Sequence, residues 1–253
     1  MDRTGRVRRA LRPAVLLLAL AATACGLLDD GGSQRWGSRL TARPAPADAA
    51  DDRIGALFLA ELNGPRMCTA SVVASPHRNL LVTAAHCVHS TERGRFDDLV
   101  FAPGFRDGIA PYGVWPVASV TVDQHWTDSE DPDYDVAFLT VQSVQGQEIQ
   151  DLLGANRLVT GLGFDLPVSV TGYPNERGAP VTCSNRTTSQ SPTQSRFECS
   201  GYTVGTSGSP WLTGNGQLVG VIGGYQEGGD TDAVSYSVAF DQRVDDLYRR
   251  ATA

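Results

Sequence analysis

From residue 54 onward the chain is a succession of short apolar or alternating runs, each broken by Gly, Pro, Asn or Asp. The runs cover 54–59, 68–74, 80–83, 99–102, 114–122 and 136–141, and after the 145–155 region 158–160, 168–172, 181–184, 196–199, 211–213, 217–222 and 234–240. Segments this short, separated by turn formers, cannot make amphipathic helices and instead predict an all-β barrel or sandwich. Only the last segment, 241–250, carries a helical pattern, with Val244, Leu247 and Tyr248 on one face. The strands fall into two groups of about six on either side of 145–155. If the groups are two packed barrels, an N-terminal one over about 53–145 and a C-terminal one over about 155–240, a cleft lies between them; the pattern shows no internal repeat that would fix that division by itself.

The N-terminal end carries a different message. Arg3, Arg6, Arg8, Arg9 and Arg12 form a positive region, and 14–22 is an apolar run. This run is about half of the roughly 20 residues that a membrane-spanning helix needs, so 1–24 reads as an export signal of the general secretory type. It ends in Ala22-Thr23-Ala24-Cys25. As a small-x-small site this is cut after Ala24 and leaves Cys25 a free thiol; as a lipobox, with Ala22 in place of the usual Leu, it makes Cys25 the lipid-modified first residue of a bacterial lipoprotein. The expectation is an exported protein tied to the cell surface through Cys25, and otherwise secreted. From 25 to 52 the Gly, Ser, Pro, Ala and Asp content reads as a flexible tether, and 53–253 as the folded domain.

Charge narrows the partners. The formal net charge is -7, and all 21 basic residues are Arg, a pattern of GC-rich bacterial genomes. An acidic chain without a basic face is not built to bind nucleic acid. The five cysteines lack a paired Cys-x-x-Cys, and no two histidines have the spacing of a helical zinc motif, so no metal and no cofactor are expected.

Three segments set polar residues of catalytic type into apolar or glycine-rich frames. In Leu81-Val82-Thr83-Ala84-Ala85-His86-Cys87 a strand ends before two small residues and His86, leaving the imidazole free to enter a cleft. Taken alone, His86 is equally readable as a buried histidine bonded to backbone. In Asp133-Tyr134-Asp135-Val136-Ala137-Phe138-Leu139, Asp135 stands where loop becomes core, and a carboxylate buried there needs a partner such as an imidazole N–H. In Val204-Gly205-Thr206-Ser207-Gly208-Ser209-Pro210-Trp211, the glycines allow a tight turn that exposes the Ser207 hydroxyl while the N–H groups of Gly205 and Ser207 converge as an oxyanion hole. The core-like Pro210-Trp211-Leu212 run argues against a Gly-Ser linker. His77, His89 and His125 read as surface histidines.

Together these segments resemble the chymotrypsin-like (trypsin superfamily) serine proteases, in particular the bacterial branch of glutamyl endopeptidases and V8-type enzymes. The likeness covers about 54–250, with the family's order His, Asp, Ser. It implies two six-stranded antiparallel β-barrels with the active site between them and a C-terminal helix. It further implies a polypeptide substrate, His86 as general base, Asp135 as its orienting carboxylate, Ser207 as nucleophile, and the Gly205 and Ser207 amides as the oxyanion hole. Thr206 replaces the aspartate that animal enzymes pair with a newly cut N-terminus, so activation by that ion pair is not expected. The pocket floor falls at Gly201 and its wall at Gly223-Gly224-Tyr225. Gly201 lacks a carboxylate and no histidine lies near Ile222, which supports neither a trypsin-like nor a glutamyl preference; Tyr225 suggests a small or medium apolar P1 residue. The resemblance pairs Cys68 with Cys87 and Cys183 with Cys199, leaving Cys25 over. A monomer is expected. The alternatives are a catalytically silent binding module on this scaffold and an esterase with the same triad.

Overall fold

The computed structural model describes residues 40–48 and 50–253. The signal, its junction and Cys25 lie outside the described residues. The first group of runs closes into a barrel of six strands, in the order Ile54–Leu59, Arg66–Val73, Leu80–Thr83, Ala137–Val141, Trp115–Val122 and Leu99–Pro103, with Ile54–Leu59 pairing back on Leu99–Pro103. Closure leaves no open edge. Leu57, Val72, Leu81, Phe101, Trp115 and Leu139 fill its interior.

The C-terminal half, expected as the second six-stranded antiparallel barrel, is built from two sheets. Arg43–Pro44, Val181–Arg186, Pro167–Gly172, Pro210–Leu212, Gln217–Val221 and Arg157–Leu158 form one sheet, and Thr188–Ser191, Gln194–Glu198 and Val234–Val238 form a second. Arg157–Leu158 runs parallel to its neighbour. The sheets separate at Thr187, which is buried and turned inward by bonds to the 164–166 segment: its N–H donates to the Leu166 carbonyl at 2.9 Å, and its Oγ1 accepts from the Leu166 N–H at 3.1 Å. The chain therefore cannot continue one ladder through this point. The Cys183–Cys199 disulfide joins the two sheets across the break.

Part of the segment expected as a tether is instead built into the domain. Arg43–Pro44 pairs with Val181 and Thr182, the Ala42 N–H donates to the Ser200 carbonyl at 2.7 Å, Ala45 is buried, and Arg106 donates to the Ala45 carbonyl at 3.0 Å. An Ala- and Pro-rich stretch shows no periodicity, yet it can satisfy the open groups of an edge strand.

The last helix, Gln242–Ala251, starts at Asp241, whose carboxylate caps the Arg243 N–H. Val244 and Leu247 pack on a cluster drawn from both halves, including Val82, Phe138, Leu218 and Val238, and the Tyr248 hydroxyl donates to the Ala74 carbonyl at 2.8 Å. Each of the two buried side chains contributes about 1.5–3 kcal/mol to holding the halves together. Two further short helices, Gln124–Ser129 and Ile149–Leu153, are too short to show a helical period in the sequence.

Candidate active site

The Leu80–Thr83 strand is buried throughout, and Ala84 and Ala85 behind it are small enough to be fully enclosed. A single tight turn, Ala85–Cys87, then delivers His86 to the surface of the cleft with its side chain 14% exposed. The Cys68–Cys87 disulfide fixes this turn to the neighbouring Arg66–Val73 strand.

Asp135 follows the Pro132–Tyr134 turn, in which the Asp131 side chain accepts the Asp133 N–H at 3.0 Å. Its carboxylate is completely buried and fully used. Oδ1 accepts the His86 backbone N–H at 2.9 Å, while Oδ2 accepts from His86 Nδ1 at 2.8 Å and from the Gly224 N–H at 2.7 Å. The bond to Nδ1 selects the tautomer that leaves Nε2 free to accept a proton. Desolvation disfavours the His86 imidazolium, but the charge and hydrogen bond of Asp135, with a further contribution from Glu227, outweigh it and raise the His86 pKa above 6.5.

Ser207 sits on a turn whose peptide groups are nearly all committed. The Ser207 carbonyl accepts from the Thr69 N–H at 2.8 Å, the Gly205 carbonyl from Thr69 Oγ1 at 3.0 Å, and the Ile222 carbonyl from the Gly208 N–H at 2.7 Å. Among the described residues, the N–H groups of Gly205 and Ser207 donate to no protein acceptor. Gly205 and Gly208 have φ of 98° and 80°, and a Cβ would strike Asn175 Oδ1 at the first and Thr83 Oγ1 and the Thr69 carbonyl at the second. Only glycine fits either position.

His86, Ser207, Gly205, Thr203 and Val204 line one cleft of about 590 Å³. The four residues expected to bind substrate do not line it. The Gly201 N–H is held by the Asp232 carbonyl, that of Gly223 by the Tyr236 carbonyl and that of Gly224 by Asp135. Tyr225 packs edge-on against Tyr236, with ring centroids 5.0 Å apart. The reason is local: the Gln217–Val221 strand stops short, and Tyr225–Gly228 curls into a turn with Gln226 and Glu227 in the left-handed region. The cleft wall is formed instead by Ile222 and the 226–232 segment, which brings in Glu227, Asp230 and Asp232. In the sequence the one signal of this segment is its three acids within six residues.

The remaining histidines divide. His77 is exposed, and His125 is held on the surface by Asp123 and stacks on Tyr134. His89 is half-buried and not a surface residue, because its hairpin is covered by Trp126, whose indole N–H donates to the His89 carbonyl. Among the described residues, Cys68, His86 and Cys87 bring their side-chain donors within 4.8 Å of one another, but both sulfurs are bonded to each other and unavailable as thiolate ligands.

The family model for the trypsin-like peptidase domain matches residues 68–221. The chain belongs to this family. Among solved structures, this trypsin-like peptidase is similar to a thermostable serine protease, AL20, from an extremophilic microorganism, with a TM-score of 0.72 and 26% identity over 81% of this chain and 99% of that one. The protease Anisep from Arthrobacter nicotinovorans shares the fold at TM-score 0.71 and 24% identity, covering 81% of this chain and 98% of that one. A Glu endopeptidase shares it at TM-score 0.71 and 18% identity, covering 85% and 98%. A curated relative from Bacillus subtilis (strain 168), named an extracellular metalloprotease, is 29% identical over 110 residues, or 44% of this chain; the match spans 34% of that protein's length. By fold and family the chain belongs with the trypsin-like peptidases.

Proposed function

We propose that the protein is an exported serine endopeptidase working through His86, Asp135 and Ser207. The observation that carries this reading is the fully buried Asp135 carboxylate gripping the His86 ring and backbone, with Ser207 in the same cleft. His86 Nε2 takes the Ser207 proton as Oγ attacks the scissile carbonyl, then returns it to the leaving amine. A water activated by the same nitrogen releases the acyl group from Ser207. Asp135 stabilises the imidazolium between these transfers. The Gly205 and Ser207 amides receive the oxyanion, and a donor of this kind contributes about 3–4 kcal/mol of barrier reduction.

The acidic cleft wall revises the substrate reading. Tyr225 turns toward Tyr236, while Glu227, Asp230 and Asp232 on the cleft wall favour a basic side chain near the scissile bond over an acidic one. Two disulfides agree with an oxidising compartment. Export, with lipidation at Cys25, is tested by fatty-acid labelling of the wild type against Cys25→Ala; an unlabelled wild type removes the anchor from the reading.

The decisive test of the enzyme is reaction of the purified domain with a fluorophosphonate probe. Labelling of the wild type that vanishes in Ser207→Ala supports a serine hydrolase, and cleavage of peptides rather than only esters supports the peptidase. A wild type that stays unlabelled means a silent binding module.

A further inference from the structure

A trans peptide carries its C=O and its N–H on opposite sides, so whatever captures a carbonyl also aims the next N–H. In the turn around Ser207, the Thr206 carbonyl is taken by the N–H and Oγ of Ser209, at 3.0 and 2.6 Å, which aims the Ser207 N–H the other way. This part of the turn is self-contained. The Gly205 N–H is set differently: the Val204 carbonyl accepts from the Asn175 N–H at 2.8 Å, so the direction of the Gly205 N–H depends on where Asn175 stands.

Asn175 belongs to the 174–178 loop, a short turn closed by the Arg177 N–H on the Pro174 carbonyl at 3.0 Å and tied at its end by the Asp107 N–H on the Gly178 carbonyl at 2.7 Å. A side chain from the other half of the molecule braces this turn at three points. Arg66 Nη2 donates to the carbonyls of Pro174 and, at 2.8 Å, Arg177, while Nε donates to Asn175 Oδ1 at 3.1 Å. The Asn175 amide donates back to the Arg66 carbonyl at 3.2 Å. Glu176 extends the loop's grip by accepting from Thr203 Oγ1 at 2.8 Å, and the Thr203 carbonyl in turn accepts the Thr206 N–H and hydroxyl. A guanidinium presents several donors in a rigid fork, so it can hold three acceptors of one loop at once; an ammonium cannot reproduce that geometry. Arg66 lies two residues before Cys68 and three before Thr69, so the strand that braces the histidine turn also sets the loop that aims the Gly205 amide.

We infer that Arg66 is a positioning residue for the oxyanion hole, acting through the 174–178 loop and Asn175 on the Val204–Gly205 peptide. This rests on the serine endopeptidase function proposed above. Loss of the fork lets the peptide plane rotate and the Gly205 donor drift, which weakens transition-state binding and leaves ground-state binding nearly intact.

The test compares wild type, Arg66→Lys and Arg66→Ala on a peptide ester and its thionoester counterpart, whose sulfur is a poorer acceptor for the hole. In Arg66→Ala we expect kcat to fall about tenfold or more with KM within about twofold, since an entire donor is worth about 10²–10³. The ester-to-thionoester rate ratio falls with it, and Arg66→Lys is intermediate. An Arg66→Ala protein of wild-type melting temperature whose kcat and rate ratio stay within twofold of wild type overturns the inference. If Arg66→Ala does not fold, Arg66→Lys is judged on the same criteria. If the wild type itself turns over neither substrate, the enzyme reading has failed, and amide hydrogen exchange then decides the positioning role. Faster exchange at Asn175 and Thr206 in Arg66→Lys supports it, and unchanged exchange overturns it.

Discussion

Replacing Asp135 by Asn tests the catalytic assignment at its most constrained point. The two carboxylate oxygens accept three N–H groups, one on Oδ1 and two on Oδ2. An Asn side chain cannot satisfy them in either orientation. With its NH₂ at the Oδ2 position, it faces the Gly224 N–H and forces His86 to give up the Nδ1 proton, which places the proton on Nε2 where the nucleophile needs a base. With its NH₂ at the Oδ1 position, it opposes the His86 backbone N–H, which cannot change tautomer. One donor is left unpaired in a fully buried site either way, which costs about 1–3 kcal/mol of stability. The first orientation puts His86 in the wrong tautomer, which costs about 10⁴ in kcat at neutral pH, or about 5 kcal/mol of barrier; the second keeps the tautomer but removes the negative charge that stabilises the imidazolium, so kcat falls more than tenfold in either. The assay is steady-state hydrolysis of a chromogenic peptide substrate from pH 6 to 10, with thermal unfolding of each variant in parallel. A folded Asp135→Asn protein with kcat within tenfold of wild type would refute the role given to Asp135 and the tautomer argument with it.

The raised pKa of His86 places the acidic limb of kcat/KM above pH 6.5, because only the neutral imidazole can act as base, and Glu227→Gln is expected to move that limb to lower pH. The stability effect has the opposite sense: the His86–Asp135 pair stabilises the fold fully below about pH 6.5 and loses this contribution as pH rises through the folded pKa, which pH-dependent urea titrations of wild type against His86→Ala will register. Removing the Cys183–Cys199 bridge, with a sequence separation of 16, as the double Ala variant should destabilise by about 3 kcal/mol and lower Tm by about 6–12 °C in calorimetry. With matched peptides that differ only in Arg or Glu beside the scissile bond, the Arg peptide should be cleaved about tenfold faster at low salt, and the ratio should shrink at high salt; equal rates at low salt would show that the acidic wall does not reach the substrate.

The N-terminal barrel and the candidate site residues stood out in the sequence for different reasons. Strand alternation and turn residues located the strands within a few positions, since apolar burial dictates both. His86, Asp135 and Ser207 stood out because each interrupts an apolar or glycine-rich frame with a group that such a frame would otherwise exclude. The cleft wall was not legible. The curl of Tyr225–Gly228 depends on Gln226 and Glu227 occupying left-handed backbone, which nothing in Gln or Glu announces, and on Tyr225 finding Tyr236 on the next strand. The docking of Arg43–Pro44 was equally hidden, because the pairing belongs to the open edge at Val181–Thr182 and not to the Ala- and Pro-rich segment itself. The second barrel was expected from the family resemblance, and neither that nor the strand count shows Thr187 turning inward and dividing its strands into two sheets.

The hydrogen bonds that build the site are the same bonds that join the two halves. Asp135, in the N-terminal half, accepts the Gly224 N–H from the C-terminal half; Thr69, on a barrel strand, holds the carbonyls of Gly205 and Ser207; and Arg66 holds 174–178. Thr69 also accepts the Tyr173 N–H at 3.0 Å, so one buried threonine serves three peptide groups across the divide. Separation of the halves by even 1 Å would break the orientation of the proposed triad and oxyanion hole together, because bonds near 2.8 Å are steeply sensitive to distance and neither half contains all of the proposed catalytic groups. The helix Gln242–Ala251 then acquires a catalytic consequence despite its distance from Ser207. By packing Val244 and Leu247 on side chains of both halves, it supports the interface on which those bonds depend, and its loss should reduce kcat before it abolishes secondary structure.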